Sequence, residues 1–178
     1  RRKDGSMVFY DVCENVHRDG ILHTTTVPAT ALDAETQTTA ERFAFAVLER
    51  LDYVGVLAIE LFEGDEGLFA NEMAPRVHNT GHHTIELTQT SQFENHVRAI
   101  TGMPLGAAVR RSHGIMLNLV GEVPASELML AIPGAHLHLY GKRPKAGRKL
   151  GHVTLETGDG DEAAVARLLA LAGGSSTT

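Results

Sequence analysis

A chain of 178 residues, 43% of them hydrophobic, can bury a core of its own, as one large domain or as a medium domain with a small appendage. A net charge of -6 and a pI near 5.9 argue against a non-specific nucleic-acid binder, yet leave room for a local basic cluster that holds one small anion. The single cysteine, Cys13, excludes an internal disulfide and a cysteine zinc ribbon and suits a reducing cytoplasm, and no apolar run reaches the roughly 18 residues of a membrane span.

The chain opens on RRKDGSMVFYDV, which reads as strand, turn and strand about Lys3-Asp4-Gly5 and has no apolar signal core. So abrupt a start is expected of a fragment of a longer polypeptide. Residues 7–16 and 21–27 are expected as a hairpin around Asp19-Gly20, a turn signal. Ala40, Phe43, Ala44, Val47, Leu48 and Leu51 then recur at helical spacing, with Thr30 and Asp33, or Asp33 alone, offering the start cap. YVGVLAIELF at 53–62 reads as a buried, nearly all-apolar strand, which GDEG at 64–67 turns back into 68–72. Ser91 and Glu94 suit a capping box for a helix over 91–101, with Phe93, Val97 and Ile100 on one face and Gly102 just past its end. Beyond about Gly106, prolines and glycines divide the chain into short strands over 114–120, 135–140 and 152–156. A last helix over 163–171 and a frayed GGSSTT tail follow, and Asp159 to Glu162 forms an acidic turn without calcium-loop spacing. The class expected is α+β with mainly antiparallel strands.

Strand alternation puts Glu60 among Val54, Val56, Ala58 and Phe62, a poor place for a charge unless it has a partner. The short turn sets Glu72 opposite or diagonal to it on the same face, their β-carbons roughly 5 to 8 Å apart. Two such carboxylates share a proton or bind a cation; their hard oxygens favour Mg²⁺, which also accepts substrate phosphates. The alternative is a carboxylate at a sheet edge and another that merely begins a loop. Arg76, His78 and Asn79 follow, and a planar guanidinium held between Pro75 and Gly81 suits a carboxylate, bicarbonate or phosphate; alternatively Arg76 makes an ordinary salt bridge. His78 and His82 stand at zinc spacing, but Gly81 undermines the helix that a zinc pair needs. Lys142, Arg143, Lys145, Arg148 and Lys149 crowd one loop, either a phosphate cradle or a solvated basic turn, and His136 and His138 share a strand face.

ENVHRDGIL at 14–22, YVGVLAIELF at 53–62, NEMAPRVHNTGHHT at 71–84, TSQFENHVRAITGMPLG at 90–106 and GRKLGH at 147–152 together resemble the 5-(carboxyamino)imidazole ribonucleotide synthases, biotin-independent ATP-grasp enzymes of purine biosynthesis. The resemblance runs almost end to end. Val77 and Asn79, where the related formate-dependent transformylases usually carry proline and aspartate, favour the carboxylating branch. The resemblance implies the C-terminal part of an ATP-grasp domain over 1–105, an antiparallel sheet with packed helices, then a small β-rich domain over 106–178. It further implies a cytoplasmic, homodimeric ligase that uses ATP and Mg²⁺ to carboxylate 5-aminoimidazole ribonucleotide with bicarbonate through carboxyphosphate, with no nucleic-acid or membrane partner.

Residue by residue, the resemblance makes Glu60 and Glu72 the magnesium ligands, and Asn71 with Glu72, together with His17, the nucleotide contacts. Arg76, His78 and Asn79 would face bicarbonate or carboxyphosphate, and Lys142, Arg148 and Lys149 would grip the ribonucleotide's phosphate. Two departures stand out: KAGRK at 145–149 replaces the commoner RPGRK, and His83 stands where tryptophan is frequent. The family's glycine-rich N-terminal domain, ATP-clamping lysine and flexible phosphate loop have no counterpart here, so this chain is expected not to turn over alone. The rival expectations are another ATP-grasp ligase with a different acceptor, or a non-catalytic binding or dimerisation module.

Overall fold

The computed structural model describes residues 1–30, 33–158 and 161–173. In chain order the elements are β1 (Glu14–Arg18), β2 (Ile21–Val27), α1 (Ala34–Arg50), β3 (Ala58–Gly64), β4 (Gly67–Ala74), α2 (Thr84–Leu87), α3 (Gln92–Ile100), β5 (His113–Val120), α4 (Ser126–Leu130), β6 (Ala135–Leu139), β7 (Lys149–Thr157) and α5 (Glu162–Gly173). They form two compact units, Arg1–Val12 with Pro28–Arg111, and Cys13–Val27 with Ser112–Thr178.

The second unit is a five-stranded antiparallel sheet in the order β1-β2-β5-β7-β6. Asp19 and Gly20, both at positive φ, make the two-residue turn between β1 and β2 that Asp-Gly favours. One sheet face carries Ile115, Leu117, Leu119, Val153 and Leu155, packed with Met129, Ile132 and Leu168. Met116, Asn118, His152 and Thr154, at the alternate positions, are buried as well, so both faces of β5 and β7 are covered. The hairpin β1–β2 reaches this sheet through β2, whose residues Thr24 to Val27 pair with Leu117 to Gly114.

The first unit holds α1, the two-stranded sheet β3–β4, α2 and α3. Asp33 caps α1, accepting a hydrogen bond from the Thr36 amide at 2.7 Å, and Ser91 caps α3, accepting from the Glu94 amide at 3.2 Å. Gly102 takes φ 75 at the end of α3, as the expected cap requires.

Several expected elements differ. The strand read over 7–16 is confined to β1, because Val12 donates its amide to Gln37 Oε1 and accepts from the Ala29 amide rather than from a neighbouring strand. The strand read over 53–62 begins only at Ala58, and it is half-buried to exposed rather than buried. Upstream of it, Gly55 turns at φ 134 and donates to the Arg1 carbonyl, while the Val56 amide donates to His96 Nδ1, so no ladder can form there. The apolar face of α3 is inverted: Gln92, Asn95 and Ala99 are buried, whereas Phe93, Val97 and Ile100 are exposed. Asn95 tolerates burial because it bonds both the amide and the carbonyl of Gly106 as well as the Tyr10 hydroxyl. The short helices α2 and α4 were not anticipated, and β7 and α5 run longer than expected at both ends. Asp159 in the acidic turn and all but the first residue of the GGSSTT tail lie outside the described residues. Among the described residues no helix is long and apolar enough to cross a membrane.

Candidate active site

Strands β3 and β4 place Glu60 directly opposite Glu72. Register slips immediately beyond this pair, since Leu61 faces Ala70 and Asn71 is left as the extra residue of a bulge. In a regular strand Asn71 and Glu72 would point to opposite faces. Here the bulge lets both serve Glu60: Asn71 donates its amide to Glu60 Oε2 at 3.3 Å, and a Glu72 oxygen lies within the same cluster. The two carboxylates sit in unlike settings, the Glu60 side chain 11% exposed and that of Glu72 58%.

The loop after β4 completes the cluster. His78 Nε2 lies 3.2 Å from Glu72 and its Nδ1 3.9 Å from Glu60, and one ligand atom from each of the three residues falls within 4.8 Å of the others. Two carboxylate oxygens and an imidazole nitrogen so disposed can hold a divalent cation, with the oxygens supplying what Mg²⁺ prefers. The imidazole is itself fixed, because Nδ1 lies 3.0 Å from Thr80 Oγ1 and caps the 3₁₀ turn Asn79–Gly81.

Behind that turn sits Gln92, only 3% exposed. Its Oε1 accepts from the His78 amide at 2.9 Å, and its Nε2 donates to the His78 carbonyl at 2.7 Å and lies 2.9 Å from His82 Nδ1. The sequence offered no warning that this glutamine is the bracket of the loop. Gly81 is explained by the same contact: a Cβ there would lie 2.6 Å from Gln92 Oε1. Its φ is not positive, so close packing rather than backbone conformation requires the glycine. His82 stacks on Phe93 at 5.3 Å and stands outside the three-residue cluster, so the zinc pairing of His78 with His82 has no counterpart among the described residues.

Arg76 is exposed, and its Nη1 donates to the Val77 carbonyl at 2.9 Å. Asn79 opens the 3₁₀ turn, and its amide nitrogen is shielded from solvent with no hydrogen-bond partner among the described residues. Nearby, His83 is 3% exposed, and burial pushes its imidazole down to about 4, Asp11 opposing this and His82 adding to it.

The remaining residues named from sequence belong to the second unit. His17 is exposed on β1, at the point where pairing with β2 slips register and brings it opposite Leu22. Lys142 and Arg148 are exposed in the loop between β6 and β7, and Lys149 begins β7 opposite Val120. Arg148 folds the loop on itself, donating from Nη1 to the Arg143 carbonyl and from its amide to that of Lys145. Lys142 places Nζ 5.1 Å from the centre of the Tyr140 ring.

Residues 1–93 match the family described as ATP-grasp domain, and residues 114–166 match phosphoribosylaminoimidazole carboxylase C-terminal domain. A Pseudomonas aeruginosa protein named N5-carboxyaminoimidazole ribonucleotide synthase is 49% identical over 159 residues, which are 89% of this chain and 43% of that protein. The crystal structure of N5-carboxyaminoimidazole ribonucleotide synthetase from Thermus thermophilus superposes with a TM-score of 0.92 at 49% identity, over 96% of this chain and 48% of that one. The Aspergillus clavatus synthase, in complex with ADP and 5-aminoimidazole ribonucleotide, gives 0.86 at 34% identity over 92% and 47% of the two chains. The chain thus spans less than half the length of these relatives.

Proposed function

Because the chain belongs to the ATP-grasp family, we propose that it serves, as part of a longer polypeptide, in the ATP-dependent carboxylation of 5-aminoimidazole ribonucleotide in purine biosynthesis. In this reading a bicarbonate oxygen attacks the γ-phosphorus of ATP and the bond to ADP breaks. The resulting carboxyphosphate transfers its carboxyl group to the amine of the ribonucleotide, releasing phosphate and a proton. The observation that carries the proposal is the meeting of Glu60 and Glu72 on one face, with Asn71 and His78 fastening them there.

Glu60 and Glu72 would hold Mg²⁺, whose charge, when bound, offsets that of the triphosphate oxygens. Asn71 orients Glu60 and, with His17, contributes to nucleotide binding. Arg76 presents a planar donor pair suited to bicarbonate, and Asn79 faces the same bicarbonate or carboxyphosphate from the 3₁₀ turn of that loop. His78 keeps the two carboxylates convergent. Lys142, Arg148 and Lys149 bind the ribonucleotide's phosphate. The protein acts in the cytoplasm as a homodimer, a state supported by the apolar stripe that α3 exposes.

The test is ADP release by the purified full-length enzyme. Release that depends on both bicarbonate and 5-aminoimidazole ribonucleotide is the expected result, and a rate indifferent to both overturns the assignment.

A further inference from the structure

The basic loop between β6 and β7 rests on a column of aromatic rings. We propose that Tyr140 is a positioning residue, which holds the Lys142 ammonium over its ring and is itself fixed by His152, so that the loop meets a phosphate with its cation already placed. This inference deepens the functional reading above and depends on it for the identity of the phosphate.

The column starts in the sheet. His152 on β7 is 2% exposed and lies opposite His138 on β6, the two rings stacked at 4.5 Å with only 12° between their planes. His152 Nδ1 is 2.7 Å from the Tyr140 hydroxyl, and the Tyr140 amide donates to the Leu150 carbonyl at 2.8 Å, so ring and backbone are both anchored to β7. Strands β6 and β7 approach so closely here that a Cβ on Gly151 would lie 2.3 Å from the His138 carbonyl oxygen. Past the ring, Gly141 takes φ 65, and Lys142 lies over the Tyr140 face, Nζ 5.1 Å from its centre. A lysine on a flexible loop normally loses much side-chain freedom when it binds an anion. Seating the ammonium on a fixed aromatic face removes part of that cost before the phosphate arrives, and leaves the outward N–H groups available.

The experiment compares Tyr140→Leu and Tyr140→Phe in the full-length enzyme, with the ribonucleotide and with its 5′-dephosphorylated nucleoside as acceptors. Tyr140→Leu is expected to raise KM for the ribonucleotide by roughly three- to tenfold, the scale of one cation–π contact with its lost preorganisation. It should leave kcat, KM for ATP and KM for the nucleoside unchanged, and should add nothing in a Lys142→Met background. Tyr140→Phe, which keeps the ring but loses the His152 bond, should fall between. An unchanged ribonucleotide KM, an equal effect on the nucleoside, or an effect that persists without Lys142 overturns the role of Tyr140. NMR of the chain itself supplies a readout independent of turnover: the Lys142 ε-methylene protons should carry a ring-current shift that Tyr140→Leu abolishes, and its absence from the wild type overturns the geometry. A full-length enzyme with no ribonucleotide-dependent turnover, despite that shift, instead overturns the functional reading of the loop.

Discussion

A methyl group on Gly81 would collide with a side chain that has nowhere to go. Gln92 spends both ends of its amide on the His78 peptide group, so moving it aside breaks the bracket that holds the candidate anion loop. Gly81→Ala should therefore destabilise the chain by about 1 to 3 kcal/mol, the usual range for overpacking, seen as a lower urea midpoint at constant slope. If the clash is the cause, Gly81→Ala in a Gln92→Ala background should cost much less than it does alone. His83 carries a prediction of a different kind. Its folded-state value of about 4 lies below the ordinary histidine range, so the unfolded chain binds the proton more readily. The stability contributed by keeping this imidazole neutral is complete above about pH 6.5 and is lost as pH falls toward 4. From about pH 7.5 to about pH 5 the loss should be about 2 kcal/mol, and His83→Phe should remove that part of the slope in urea titrations across the range. Equal slopes in the two proteins would show that His83 is not the group responsible.

At the level of elements, what was legible in the sequence was local. Asp19-Gly20, Asp33 and Ser91 each act through backbone groups within three residues, so their roles follow from residue type and spacing alone. Burial depends on partners far along the chain and was misread: α3 has a clear apolar stripe, yet Phe93 is 39% exposed, and Val97 and Ile100 are each 55% exposed. The buried side of α3 is polar because Gln92 and Asn95 serve the loop at His78 and the turn at Gly106, contacts that no periodicity reports. The exposed stripe is flanked by Glu94 and Arg98, which pair along the helix. Two copies of α3 packed antiparallel about a two-fold axis would bury the stripe and bring each Glu94 near the other copy's Arg98, a self-complementary arrangement. Val97→Glu with Ile100→Glu in the full-length protein should weaken self-association by at least roughly thirtyfold, the equivalent of one ~2 kcal/mol hot spot, with the circular dichroism spectrum retained. Sedimentation equilibrium decides it, and self-association that the two substitutions leave unchanged would overturn the proposed role of α3.

At the scale of the whole molecule, the least legible fact was that the Glu14–Val27 hairpin groups with the late strands, because its pairing with β5 joins residues as distant as Thr24 and Leu117 and leaves no local pattern. The carboxylate pair was legible, since a short turn fixes register and register fixes the face; the bulge at Asn71 was not, because nothing in LFANEMA marks which residue is extra. That distinction shapes the decisive prediction. The Glu60 side chain is 11% exposed and that of Glu72 58%, but an amide has the shape of the carboxylate it replaces, so either exchange changes charge with little change in packing. Glu60→Gln can still accept the Asn71 hydrogen bond, and unfolding midpoints should stay close to wild type. Turnover in the full-length enzyme should nevertheless fall by roughly 100- to 1,000-fold, the scale of losing one preorganised electrostatic contact to a reacting phosphate. The Mg²⁺ concentration giving half-maximal rate should rise in both variants, which a general loss of structure would not produce. Asn71→Ala should show a weaker form of the same Mg²⁺ dependence, since it frees Glu60 without removing it. Near-normal turnover and an unshifted Mg²⁺ requirement in Glu60→Gln and Glu72→Gln would take both residues out of the metal site, and with them the observation on which the proposed reaction stands.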